Sequence, residues 1–134
     1  MAAIDYYEVV RKLTERTGKR EVNWLKVRDN EFKVLLKSGG ITISKNYFDP
    51  EEQYYLNLRI YNLQGDIVYE HETKENEAIT ESTQLPFTLL DELFAVARSS
   101  YYKVEETIAS IIDELSHENE IGAKEEPVKD DLPF

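Results

Sequence analysis

Apolar positions along the chain change their period twice, and the changes divide it into elements. From about Ile4 to Thr17, Ile4, Tyr7, Val10 and Leu13 recur at three-residue steps, which predicts a helix that Gly18 is suited to end. From Glu21 to about Glu72 the pattern belongs to strands. EVNWLKV is followed by a polar RDNE turn, then FKVLLK, SGG and ITIS, and two consecutive glycines between β-rich runs signal a hairpin. After the loop NYFDPEEQ, the run YYLNLRIY alternates, with Tyr54, Leu56, Leu58 and Ile60 on one face and Tyr55, Asn57, Arg59 and Tyr61 on the other. NLQGD then turns the chain into IVYEHE. Five strands joined by short turns predict an antiparallel meander.

Thr73 to Gln84 is polar and is expected to be a loop. Beyond Pro86, an apolar stripe of Leu90, Leu93, Ala97, Tyr101, Val104, Ile108, Ile111 and Leu115 predicts one helix from about Thr88 to Ser116, with Thr88 as N-cap and Asp91 in its first turn. Such a helix would be roughly 40 Å long, enough to cover the sheet, so its stripe is read first as core and, as the second reading, its excess as a homodimer seam with another copy. Trp24, Phe32, Phe87 and Phe94 are assigned to the core, and Phe48 to a loop. The fold class expected is α+β: a five-stranded antiparallel meander sheet, an N-terminal helix and a long C-terminal helix on one face, then a disordered acidic tail. The domain spans residues 1–116 and the tail 117–134.

Charge sharpens this division. Residues 1–50 carry ten Lys/Arg against seven Asp/Glu, whereas residues 51–134 carry six against twenty, giving a formal net charge of −11 for the 134-residue chain. A protein whose main task is coating duplex DNA or an anionic membrane relies on clustered Lys and Arg, so this balance argues against both. Cysteine is absent, which excludes disulfides, zinc–thiolate sites and cysteine nucleophiles. No run approaches the 18 or so apolar residues of a membrane span, and MAAIDYYEVV is no signal peptide, so a cytoplasmic protein without membrane contact is expected.

The tail HENEIGAKEEPVKDDLPF has six acidic and two basic residues and no periodicity, yet it closes on Leu132-Pro133-Phe134 behind Asp130-Asp131. An aromatic anchor beside a carboxylate, a proline that limits backbone freedom and acidic residues behind form a compact peptide ligand. Its receptor needs a small apolar pocket with a cation at its lip and a basic rim. KDDLPF resembles the tip of bacterial single-stranded-DNA-binding proteins, which end in several Asp residues, an apolar residue, Pro and Phe. The resemblance covers five or six residues, Lys129 interrupts the acidic run, and residues 1–116 do not resemble that family's DNA-binding domain. It implies a bacterial or phage protein whose partners belong to DNA replication, recombination and repair, with Phe134 as anchor, Pro133 and Leu132 beside it, and Asp130 and Asp131 as the electrostatic part.

Two other readings come from the body. Lys33, Lys37, Tyr55, Arg59 and Tyr61, with Thr42 and Ser44, are expected on the sheet face away from the helices, and aromatics interleaved with cations suit single-stranded nucleic acid. Alternatively the body is a plain adaptor domain whose tail is irrelevant. The cluster Arg11, Lys12, Arg16, Lys19 and Arg20 is either a receptor that holds the tail or, as favoured, a basic helix end suited to the helix dipole. No catalytic residue, metal site or cofactor is expected. His71 and His117 stand alone, no H-E-x-x-H, G-x-S-x-G or phosphate-binding glycine loop occurs, and adjacent carboxylates such as Glu105-Glu106 point apart on a helix. The expected function is therefore non-enzymatic protein interaction.

Overall fold

The computed structural model describes residues 5–76 and 85–123. In chain order it contains α1 (Tyr6–Gly18), β1 (Leu25–Arg28), β2 (Glu31–Leu36), β3 (Gly39–Phe48), β4 (Gln53–Tyr61), β5 (Ile67–Lys74), α2 (Phe87–Tyr102) and α3 (Val104–His117). The five strands form one sheet in sequential order, each neighbouring pair antiparallel, so the expected meander and the α+β class are what the chain adopts. Among the described residues no helix is long and apolar enough to cross a membrane.

Register decides the two faces. Phe32 lies opposite Ile43, Ile43 opposite Leu58, and Val34 opposite Ile41, so strand alternation brings all of them to an inner face with Leu56. There they form one buried cluster with Val10 and Leu13 of α1 and Leu90, Leu93 and Ala97 of α2. Leu85, before α2, is fully buried with them, while Phe87 and Phe94 are partly buried.

The first helix begins at Asp5, whose carboxylate accepts the Glu8 N–H at 2.9 Å, a standard N-cap contact. Ile4 lies outside the described residues, and Tyr7, expected in the apolar stripe, is exposed. Tyr6 instead stacks on Tyr69 of β5, with ring centroids 3.6 Å apart. The buried Thr17 hydroxyl donates to the Leu13 carbonyl (2.7 Å) and accepts the Trp24 indole N–H (3.0 Å). Trp24 therefore packs ahead of β1, which is shorter than the expected strand. Replacing Thr17 by Val leaves a buried indole donor unmatched, and we expect a loss of about 2 kcal/mol in urea unfolding. Thr17→Ser should recover most of it.

Three expectations about element ends are corrected. Half of the expected loop NYFDPEEQ is strand, because β3 stays paired with β4 through Phe48 opposite Gln53, leaving a single turn of 3₁₀ helix at Asp49–Glu51 and its cap Glu52. Phe48 accordingly belongs to a strand end and is exposed. Thr88 is not the N-cap of α2: Pro86 occupies that position without a side-chain cap, and Asp91 pairs with Lys45 of β3 at 2.8 Å. The proline's fixed φ sets the helix entry.

The long final helix is two helices. Lys103 adopts a left-handed conformation (φ 54°, ψ 46°), and its N–H turns back to the Ser99 and Ser100 carbonyls. Ser99–Tyr102 are modest helix formers, and the Tyr101 and Tyr102 rings both settle near Phe32, at 5.7 and 6.2 Å between centroids. The compact body closes at Val104, and Glu105–Phe134 forms a second unit. Taken by itself, α3 is amphipathic: Ile108, Ile111, Ile112 and Leu115 recur on one face of a helix that has nothing within itself to bury them.

Candidate functional site

The outer sheet face carries the polar half of each strand's alternation. Reading across the register, one row is Lys33, Thr42, Arg59 and Glu70, and the next is Glu31, Ser44, Asn57 and Glu72. Tyr61 faces the same side opposite Gly40, and Tyr55 pairs with Asn46 and Lys74. The structure thus gathers Lys33, Tyr55, Arg59 and Tyr61 on one face. Lys37 is excluded, because β2 ends at Leu36 and Lys37-Ser38 form the hairpin turn. Asp130, Asp131, Leu132, Pro133 and Phe134 lie outside the described residues.

One end of this face holds a groove of about 500 Å³, which runs between the β2–β3 hairpin and the β4–β5 turn, with Lys33, Arg59 and Tyr61 in its wall. Its apolar part comes from Val27, Leu35 and Leu63, and all three stay exposed, Leu35 by 65% and Leu63 by 69%. Sequence reasoning missed this surface. The available signal was the pair Leu35-Leu36: consecutive leucines in a half-covered strand must put one on the solvent side.

Electrostatics on the face is largely settled internally. Arg59 Nε donates to Glu70 at 2.6 Å, which raises the guanidinium pKa together with a contact from Tyr61 and holds the Glu70 carboxyl below the usual carboxylate range. Arg28 pairs with Glu31 at 3.0 Å. Lys33 forms no ion pair among the described residues, so it is the groove's available cation. The Tyr55 hydroxyl donates to the Glu51 carboxylate, Lys74 Nζ lies 5.5 Å from the ring centroid, and Phe48 meets the ring edge-on.

That hydrogen bond pushes the Tyr55 phenol up to about 12, with smaller contributions from desolvation and nearby carboxylates. Because the folded value lies above the ordinary value near 10, the contact stabilises the fold below that pH. Its contribution falls away as pH rises through the folded value. Ultraviolet titration of the tyrosines should show a phenol ionising near pH 12, and Glu51→Gln should bring it back toward 10. A titration unchanged by Glu51→Gln would refute the assignment.

The other candidates resolve simply. Arg11 and Lys19 both reach Glu15, Lys12 reaches Glu8 and Arg16 reaches Glu21, so those four cations of the N-terminal cluster are engaged locally. His71 Nε2 lies 3.1 Å from the Leu85 carbonyl, tying β5 to the segment before α2, and His117 contacts Asp113 within α3. Among the described residues no three His, Asp or Glu side chains could hold a metal ion. No family model, no curated protein and no solved structure matches the chain.

Proposed function

We propose that this chain is a non-enzymatic interaction protein of bacterial or phage genome maintenance. A small α+β body carries an acidic segment whose Asp130-Asp131-Leu132-Pro133-Phe134 tip docks proteins of DNA replication, recombination or repair. The observation that carries this reading is the order of chemistry in the tip: carboxylates, then an aliphatic residue, a proline and an aromatic ring, behind a stretch rich in acidic residues. Asp130 and Asp131 steer the segment to a basic rim, and Phe134 fills the pocket. A tip of five residues makes few contacts, so a single tip binds weakly and tethering raises its effective strength.

The test is capture from bacterial lysate by the intact chain and by a chain lacking Phe134, with retained proteins identified by mass spectrometry. Intact protein should retain tip-binding helicases, nucleases or recombination mediators, and the truncated chain should lose them by about tenfold or more. Identical capture by both, or none by either, rejects the reading.

A second reading draws on the convergence of Lys33, Arg59 and Tyr61 on one groove: the sheet face binds single-stranded nucleic acid. The Arg59–Glu70 pair weighs against it, since a guanidinium already matched by a carboxylate offers less to a phosphate. Oligothymidine affinity that falls steeply with salt and disappears in Arg59→Ala and Tyr61→Ala would establish this reading over the first.

A further inference from the structure

We infer that the groove on the outer sheet face is the receptor for the chain's own tip, presented by a second copy, so that self-association holds the tip back from other partners. The inference rests on the tip being a docking peptide and adds a mechanism that controls its availability.

The groove has the chemistry the tip requires. Lys33 lines it beside Arg28 and Arg59, which are paired to Glu31 and Glu70, in a chain whose formal net charge is −11. Lys33 is the cation without an ion pair among the described residues, and it sits beside an exposed apolar wall of Val27, Leu35 and Leu63. Aspartates followed by Leu132 and Phe134 match a cationic lip followed by an apolar wall. A groove of about 500 Å³ falls within the range of clefts that hold ligands, roughly 300–1,000 Å³. The N-terminal basic cluster offers no such combination, since four of its cations are already paired to glutamates.

Each copy has one groove and one tip, so two copies can exchange tips and close a symmetric pair. Two weak contacts then reinforce each other. A partner with a better pocket competes for the tip and opens the pair.

Sedimentation velocity of the full chain at low ionic strength, over a wide concentration range, tests the exchange. We expect concentration-dependent dimers, weakened about tenfold or more by Phe134→Ala (groove intact) and equally by Lys33→Glu or Leu35→Asp (tip intact). Two groove variants, each checked by circular dichroism, guard against one that fails to fold. An equimolar mixture of Phe134→Ala with Lys33→Glu keeps one productive tip–groove contact and should form mixed dimers that neither variant forms alone. Dimers that survive Phe134→Ala use another surface and overturn the inference, as does a chain that stays monomeric throughout. Dimers that survive Phe134→Ala while lysate capture is lost defeat the inference and leave the proposed function standing. Dimers lost with Phe134 in a chain that captures no DNA-maintenance protein do the reverse.

Discussion

Phe32→Ala is expected to cost about 4 kcal/mol of folding stability, out of a total that for small domains is roughly 5–15 kcal/mol. Phe32 is fully buried in β2 and lies opposite Ile43 of β3, while the Phe94, Tyr101 and Tyr102 rings gather around it from α2. Removing the ring empties space between a sheet and a helix. The lining cannot easily collapse into it, because β2 is hydrogen-bonded to neighbours on both sides and α2 is also held by the Lys45–Asp91 pair. The aromatic contacts add to the transfer energy lost. Urea unfolding of Phe32→Ala should show a lower midpoint with an unchanged slope, and Phe32→Leu should recover more than half of the loss. A loss below about 1 kcal/mol would mean that α2 does not pack on the sheet as described.

Disruption at Phe32 should also reach the helix break. With both tyrosine rings settled near Phe32, the last turn of α2 has a reason to stop, and Lys103 takes the left-handed conformation that glycine usually supplies. Nothing in the sequence reported this. Leu90 to Leu115 keeps its three- and four-residue steps straight through position 103, because the stripe records which residues are apolar and a left-handed residue without glycine leaves no mark.

The strands were legible for the opposite reason: each has either clear alternation or turn residues at its ends, and the five-strand order follows from short connections. The outer face was legible to the same extent. Alternation puts Tyr55, Arg59 and Tyr61 on the face where the structure has them, whereas Lys37 falls in the hairpin turn because β2 ends one residue earlier, at Leu36, than the run FKVLLK predicts. The exposed leucine was legible in the Leu35-Leu36 pair, but the groove was not, since it forms where the β2–β3 hairpin and the β4–β5 turn meet in space, which a one-dimensional pattern does not encode. The tip is the reverse case. Its chemistry stands in the order of five residues, and the body enters only as the structure that presents it and, through the groove, as its proposed competitor.

Gly39→Ala is expected to cost about 3 kcal/mol, although neither glycine of the Gly39-Gly40 pair forms the turn to which the sequence pattern assigns them. Both open β3, the turn itself being Lys37-Ser38. A Cβ placed on Gly39 would come within 2.1 Å of the Tyr61 carbonyl oxygen, a backbone atom that no rotamer change can move aside, and φ is +157°. Relief requires the start of β3 or the end of β4 to shift. At Gly40 the nearest atom to an added Cβ is 3.4 Å away, so Gly40→Ala should cost much less. The contrast separates a steric requirement from a general preference for glycine at strand ends. A shift of β4 at Tyr61 would also deform the groove, of which Gly39, Gly40 and Tyr61 are all part. Gly39→Ala should therefore weaken tip-dependent dimerisation as well as folding, whereas Gly40→Ala should leave both nearly unchanged. Equal urea midpoints for the two variants would show that β4 does not approach Gly39 this closely, and would remove the reason for the glycine at that position.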